Sequence, residues 1–220
     1  MSRSVPVCSR TAFFAALLCT LVSPLLSRTR LLPGDAAAQV VDLEGLGYDK
    51  GSPDAPILII EFGDFGCSAC AMFATETMAQ FQREFINTGR VRWKYVPFIL
   101  GSFPNSAEAT KTAECAAEQD SFWSMHDLLY ANQKEWNRER KPRDVFIGFA
   151  TRLGLDRQRF ERCLDTDPRA DHIRKTTEAA RSLLIRHTPT FFVNGRRAIG
   201  ALPITEWRKI IAQVSAGSGD

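Results

Sequence analysis

The stretch EFGDFGCSAC, residues 61–70, most constrains what this 220-residue chain can fold into. It begins inside a continuous apolar and β-branched run, PILIIEF, which is typical of a strand buried on both faces. After Cys67, apolar residues recur at three-to-four spacing as far as Phe85. This spacing predicts an amphipathic helix that ends at Gly89. A strand therefore delivers a C-x-x-C motif to the first turn of a helix.

The C-x-x-C pair, Cys67 and Cys70, has three interpretations: half of a zinc site, a structural disulfide or a redox centre. Zinc needs four ligands, and the sequence has neither a second C-x-x-C nor a His pair at ligand spacing. A helix N-terminus stabilises a thiolate, the reactive form of cysteine, through its unpaired N–H groups and its dipole. The placement favours redox chemistry without a metal or other cofactor. We expect Cys67 to be the exposed, attacking sulfur.

Residues 1–38 are typical of a secretory signal. Two arginines precede the apolar run TAFFAALLCTLVSPLL, and Ala36-Ala37-Ala38 forms an A-x-A-like cleavage site. A polar stretch with two more arginines separates the run from these alanines, so retention as an N-terminal anchor stays an alternative. The segment holds four of the 28 basic residues and one of the 25 acidic ones. The rest of the chain is balanced in charge and offers no electrostatic case for nucleic acid as a partner.

Four cysteines lie beyond the signal: Cys67, Cys70, Cys115 and Cys163. In an exported chain this number favours two disulfides, for which three connectivities exist. The C-x-x-C spacing closes easily on itself, so the pairing of the first two and of the last two is the natural expectation.

The remaining patterns predict one domain, residues 39–220, in the order β-α-β, a helical block, then β-β-α. AQVVDLEGLG is a candidate edge strand, RVRWKYVPF a second strand, and TEWRKIIAQV a closing helix. Five helical patterns fill the region from about 105 to 185. HTPTFFVNGRRAIG holds two short β runs around Asn-Gly, a strong hairpin signal. The residues expected at helix starts are Ser121, Pro142, Asp156, Asp167 and Pro168.

EFGDFGCSAC, AECAAEQDSFWSMHDLLY and HTPTFFVNG, in this order, resemble the DsbA-like thiol–disulfide oxidoreductases. The resemblance implies an α/β, thioredoxin-like fold around a central sheet, with an all-helical insertion. It implies an exported, periplasmic or extracytoplasmic enzyme that forms disulfides in other exported proteins. The implied partners are unfolded or reduced protein substrates and a membrane protein that reoxidises the cysteine pair, with the enzyme itself a monomer.

The resemblance also implies roles for individual residues. Cys67 matches the nucleophile that forms the mixed disulfide, and Cys70 matches the cysteine that resolves it. Thr188-Pro189 matches the family's Thr and cis-proline, which lie against the C-x-x-C; a cis bond is cheap only before proline. Glu61 matches an acidic residue beneath the active site, a proton relay for Cys70.

Three further features affect this comparison. Cys115 and Cys163 lie where some relatives place a structural disulfide. Ser68-Ala69 replaces the proline and aromatic or histidine that oxidising relatives usually carry, so the direction of exchange stays open. The alternatives are an isomerase or reductase held reduced by a membrane electron donor, or a non-catalytic module that binds metal or peptide. His187 stands where glycine is common, and an imidazolium near Cys67 would favour the thiolate.

Overall fold

The computed structural model describes residues 43–216, so the predicted signal, residues 1–38, lies outside the described residues. A five-stranded mixed sheet has the order β1-β3-β2-β4-β5. Only β2 and β3 are parallel, and the other neighbouring strands are antiparallel. The strands are β1 (Tyr48–Lys50), β2 (Ile57–Gly63), β3 (Val91–Pro97), β4 (Thr190–Val193) and β5 (Arg196–Ile199). The predicted thioredoxin-like fold is confirmed.

A continuous helical stretch follows β2 and crosses one face of the sheet. It consists of α1 (Ser68–Met72), a π-helical segment (Phe73–Thr77), α2 (Met78–Phe81) and a second π-helical segment (Gln82–Ile86). The apolar stripe expected from the sequence is buried along its length. Gly89, at φ 73°, then turns the chain into β3 in a conformation that costs glycine little.

Six helices form the predicted insertion, and α9 (Ile204–Ala216) closes the described chain. On α9, Trp207 packs against Phe191 of β4 and Trp93 of β3, at ring-centroid distances of 4.9 and 6.0 Å. This contact covers the same sheet face as α1 and α2. The insertion comprises α3 (Ser106–Ala117), α4 (Phe122–Ala131), α5 (Gln133–Trp136), α6 (Pro142–Arg152), α7 (Arg157–Thr166) and α8 (Ala170–Ser182).

A disulfide joins α3 to α7 through Cys115 and Cys163, with Cα atoms 5.7 Å apart. It encloses a sequence separation of 48 residues. In the chain-entropy model a loop of this size stabilises the fold by roughly 4 kcal/mol. The bond therefore holds the two helices of the insertion together.

The buried Glu114, beside this disulfide, ties three elements together. Its carboxylate accepts hydrogen bonds from Tyr48 Oη on β1 at 2.7 Å and from Arg169 Nε at 3.1 Å. His172 Nδ1 of α8 donates to it at 2.9 Å, because Nε2 of the same ring accepts the Gly47 N–H at 3.3 Å. The edge strand β1 is thus anchored to α3 and α8.

Four local predictions differ from the structure. The five helical patterns of the insertion form six helices, because the pattern that ends at Trp136 is divided at Asn132 into α4 and α5. The edge strand is Tyr48–Lys50, directly after AQVVDLEGLG, and the described part of that segment, residues 43–47, lies in turns and bends. Asp167 is the left-handed C-cap of α7, at φ 48°, rather than a helix start. Ser121 begins α4, but its hydroxyl donates to Gln119 O instead of capping. Asp156 does cap α7, accepting from Arg159 N at 2.8 Å.

Between residues 43 and 216, none of the helices combines the length and apolar character that a membrane crossing needs.

Candidate active site

The turn between β2 and α1, residues 64–67, places the first cysteine of the motif. Asp64 Oδ1 accepts the N–H of Gly66 at 2.8 Å, and Asp64 O accepts the N–H of Cys67 at 3.0 Å. The Ser106 hydroxyl of α3 donates to the same carboxylate. Gly66 is required here, since a Cβ would lie 2.4 Å from Phe103 Cβ. The turn is therefore held by both its own sequence and the insertion.

Cys67 is the N-cap residue of α1, and its sulfur faces the start of the helix. Sγ accepts the backbone N–H of Cys70 at 3.4 Å. On the other side it lies 3.2 Å from the carbonyl oxygen of Thr188, to which the thiol donates. The Thr188–Pro189 peptide bond is cis. The structure thus brings together four of the residues that the sequence proposes for the site: Cys67, Cys70, Thr188 and Pro189.

The two cysteines carry free thiols and differ in accessibility and acidity. Cys67 is only 4% exposed, less than the sequence predicts, because the loop at Thr188 packs against its sulfur, and Cys70 is 0% exposed. Hydrogen bonding from Cys70 lowers the pKa of Cys67 from 9.0 to about 6, with further contributions from Thr188 and the N–H of Ala69. Burial raises the pKa of Cys70 well above its ordinary value, and hydrogen bonding to Cys67 adds to this. One sulfur is therefore poised as a thiolate and the other as a thiol.

Two groups of Thr188 act on Cys67 in opposite directions. Its carbonyl oxygen can only accept a proton and so favours the neutral thiol. Its hydroxyl is buried and has no hydrogen-bond partner within residues 43–216, which leaves it free to donate to a thiolate. The net effect of Thr188 is to lower the pKa of Cys67.

Glu61 lies on β2 beneath α1 and is only 2% exposed. Burial raises the pKa of its carboxyl to about 8. Trp93 lowers this pKa, although its indole N–H does not reach hydrogen-bond geometry, and the charge of Lys50 also lowers it. The carboxylate in turn contributes to the raised pKa of Cys70. Glu61 can therefore hold a proton at neutral pH and exchange that proton with the cysteine pair.

The structure does not bring every candidate residue to the pair. His187 is exposed, and its carbonyl oxygen accepts from the Thr190 hydroxyl at 2.6 Å. Cys115 and Cys163 lie in the insertion and are bonded to each other. Within residues 43–216, no cluster of three or more His, Cys, Asp or Glu side chains is arranged to hold a metal ion.

Sequence reasoning missed two side chains that hold the turn, one in the turn itself and one from the insertion. Asp64, two residues before Gly66, matches an Asx-turn and could have been found on that signal. Gln133 donates to Phe65 O at 2.7 Å and to Cys67 O at 3.0 Å. Nothing local marks Gln133, because these contacts span 66 and 68 positions of sequence.

Comparisons with known proteins place this geometry in a family. Residues 47–213 match the family described as thioredoxin. The chain is 35% identical over 169 residues to the Na(+)/H(+) antiporter NhaA 1 of Salinispora arenicola, which covers 77% of the chain and 25% of that relative. The chain thus spans about a quarter of the length of the antiporter relatives it matches.

Two further relatives match over most of their own length. Probable disulfide bond formation protein D of Bacillus anthracis is 28% identical over 151 residues, 67% of this chain and 70% of that protein. The crystal structure of oxidised BdbD from Bacillus subtilis superposes with a TM-score of 0.70 at 24% identity, covering 78% of this chain and 94% of BdbD. At that identity the structural likeness shows the fold.

Proposed function

The chain belongs to the thioredoxin family and has the fold of its DsbA-like members, and on this premise we propose that it is an exported thiol–disulfide oxidoreductase that forms disulfides in extracytoplasmic proteins. The observation that carries the proposal is the difference in pKa between the two cysteines of the C-x-x-C pair. Cys67, at the helix start, has a pKa lowered to about 6, whereas burial raises the pKa of Cys70.

The reaction follows from this difference. A substrate thiolate attacks Cys67 Sγ of the oxidised pair, the Cys67–Cys70 bond breaks, and Cys70 leaves and takes a proton, with Glu61 as the nearby donor. A second substrate thiolate then attacks the substrate sulfur of the mixed disulfide, and Cys67 leaves as a thiolate. Two electrons pass from the substrate dithiol to the pair. Cys67 is the better leaving group because its pKa is low.

The direction of exchange follows from the stability of the reduced pair. Lowering the pKa of Cys67 from 9.0 to about 6 stabilises the thiolate. At pH 7 this amounts to about 1.4 kcal/mol, or about 30 mV in the reduction potential of a two-electron couple. The shift favours transfer of the disulfide to substrate. It is modest, so the measured potential decides between an oxidase and an isomerase or reductase held reduced by a membrane donor.

The surface around the pair suits an unfolded polypeptide. Two exposed apolar side chains lie on elements of the site: Met72 and Ile199, at 45% and 51% exposed. Met72 lies on α1, and Ile199 pairs with Thr190 directly after the cis-proline. Apolar surface of this kind binds segments that a folded substrate would bury. We therefore propose reduced, unfolded exported proteins as substrates.

The cellular setting completes the proposal. Residues 1–38 direct export to the periplasm or its equivalent, where disulfides persist. A membrane protein reoxidises the pair after each turnover, and the enzyme acts as a monomer. Fractionation of cells that express the tagged full chain should find it outside the cytoplasm, and recovery only from the cytoplasm would contradict export.

Turnover by single-cysteine variants tests the chemistry. In oxidative refolding of a reduced substrate protein, Cys67→Ser should abolish catalysis, because no sulfur remains to form the mixed disulfide. Cys70→Ser should instead accumulate a covalent enzyme–substrate complex that reductant releases. Catalysis by Cys67→Ser at the wild-type rate would refute an oxidoreductase of either direction and favour a binding module.

The reduction potential of the Cys67/Cys70 pair, measured in glutathione buffers, tests the direction. We expect a value above about −200 mV, on the oxidising side of the range known for such pairs. A potential near −270 mV, together with a pair found reduced in exported protein trapped from cells, would assign the reductase or isomerase direction instead.

A further inference from the structure

Side-chain amides of the helical insertion donate hydrogen bonds to the active-site turn. Gln133, the first residue of α5, is buried, and its Nε2 donates one proton to Phe65 O at 2.7 Å and the other to Cys67 O at 3.0 Å. One turn later, Asn137 Nδ2 lies 3.5 Å from the carbonyl between them, Gly66 O. Three successive carbonyls of the turn therefore face amide donors from α5.

These contacts complete the hydrogen bonding of a buried segment. Phe65, Gly66 and Cys67 are all buried. Their N–H side is held by Asp64 and their carbonyl side by α5. Cys67 O also accepts the N–H of Ala71 at 3.1 Å, the first hydrogen bond of α1. Water has little access to such buried groups, so loss of the Gln133 amide leaves the turn less firmly held on its carbonyl side and the backbone shifts.

The short helix α5 is itself held in place. Asn105 Nδ2, at the start of α3, lies 2.8 Å from Trp136 O, 3.3 Å from Asn137 O and 2.8 Å from Glu139 O. Trp136 is fully buried and donates from Nε1 to Leu129 O at 2.9 Å. A four-residue helix would otherwise be unstable alone, so this anchoring gives Gln133 a defined position.

We propose that Gln133 is a positioning residue for thiol–disulfide exchange, which fixes the backbone of Cys67 so that its sulfur meets the N–H groups of α1. The Cys67 carbonyl sets the peptide plane that leads into α1, and Sγ lies within hydrogen-bond distance of the N–H of Cys70. Loss of the Gln133 amide removes one of the two donors to this carbonyl and the donor to Phe65 O, and lets the sulfur move away from the N–H groups that stabilise its anion. This inference rests on the proposed function and gives the insertion a role in the chemistry.

The test compares matched variants of the full chain. Gln133→Met keeps the length of the side chain and loses both N–H donors. The control is Asn132→Leu, which removes the neighbouring amide. That amide donates to Leu128 O of α4 at 2.8 Å, away from the turn. The readout is the pH dependence of alkylation of Cys67 by iodoacetamide, located by mass spectrometry.

Gln133→Met should raise the pKa of Cys67 by about 0.5 to 1, and at pH 5 it should slow alkylation about three- to tenfold as the thiolate fraction falls. Asn132→Leu should leave the pKa within about 0.2 of wild type. A folded Gln133→Met protein with the wild-type pKa would overturn the inference, even if its unfolding midpoint fell, because a purely structural role moves only stability.

If Gln133→Met does not fold, Gln133→Asn takes its place, because its shorter amide can reach only one of the two carbonyls. A smaller rise in the pKa of Cys67 supports the inference, and no rise refutes it. Alkylation needs no substrate protein or redox partner. The result can therefore be read even if Cys67→Ser shows that the proposed exchange activity is absent.

Discussion

Cys67 and Cys70 lie three positions apart at one helix start and carry free thiols, whereas Cys115 and Cys163 lie 48 positions apart and are joined by a disulfide. In the first pair, local hydrogen bonds and burial push the pKa values of the two sulfurs apart. In the second pair, the bond closes a long loop between α3 and α7. Short spacing with an asymmetric environment suits exchange, and long spacing suits stabilisation.

Each pair is accompanied by a buried glutamate. The two glutamates differ as the pairs do, one being suited to stabilisation and the other to chemistry. Glu114 receives donors from a tyrosine, an arginine and a histidine, and it connects three elements. Glu61 sits beneath α1 where burial dominates, so its pKa rises to about 8. A buried carboxylate with a full set of donors holds a structure together. One without them is available to hold a proton.

Removal of the second disulfide should have the largest effect on stability. The variant Cys115→Ala/Cys163→Ala should lose roughly 4 kcal/mol of unfolding free energy, measured by urea denaturation. Its exchange rate per folded molecule should match wild type, because neither residue touches the active-site turn. A folded double variant with slowed exchange would show that the second pair takes part in the reaction.

The raised pKa of Glu61 should make the stability of the fold depend on pH. The folded protein holds this proton up to about pH 8, whereas an ordinary carboxyl releases it near 4.5, so Glu61 lowers stability as pH rises between these values. Glu61→Gln removes that loss. Relative to its parent, the variant should gain on the order of 3 kcal/mol between pH 4 and pH 7.

Both proteins in this comparison should carry Cys67→Ser and Cys70→Ser, so that thiol titration does not contribute. Urea denaturation at each pH gives the unfolding free energies. A difference between the two proteins that stays constant with pH would show that the pKa of Glu61 is the same in the folded and the unfolded protein, and its role as a proton donor would be lost.

Glu114→Gln should lower the unfolding free energy, whereas Glu61→Gln raises it relative to its parent. The variant loses the charge that Arg169 faces, and its amide N–H₂ must face a donor, either the Nε–H of Arg169 or the Nδ1–H of the His172 ring. That ring cannot change tautomer without losing Gly47. Because Arg169 is partly exposed, we expect a moderate cost, about 2 kcal/mol of unfolding free energy at pH 7. Unchanged stability would contradict the structural role assigned to this cluster.

The parts of the fold that the sequence predicted are those with local signals. The strand before Cys67, the apolar stripe after it and the Asn194-Gly195 hairpin each depend on neighbouring residues. The resemblance to DsbA-like proteins then supplied distant residues such as Thr188 and Pro189, which spacing alone cannot connect to the motif.

The parts that were missed depend on contacts between distant elements. Gln133 reaches the active-site turn only because α5 packs against it, and the bond from Ser106 to Asp64 likewise depends on the packing of α3. The edge strand Tyr48–Lys50 is defined by pairing with β3 and not by its own composition. Asp167 takes a left-handed conformation at the end of α7. Asp is common at helix starts but also adopts this conformation more readily than most residues, so its presence does not tell a helix start from a helix end.

The smallest effect is expected at His187, whose proposed influence on Cys67 the sequence left open. The side chain is exposed, so solvent and salt screen its charge. His187→Gly, which installs the residue common in relatives, should change the pKa of Cys67 by less than about 0.3, measured from the pH dependence of alkylation. Thr188→Val is the matched comparison one residue away: it removes the buried hydroxyl and should raise the same pKa by about 0.5 to 1. If His187→Gly raised the pKa as far as Thr188→Val, the imidazolium would be a direct partner of the Cys67 thiolate, and the asymmetry of the pair would depend on a titrating group as well as on fixed hydrogen bonds.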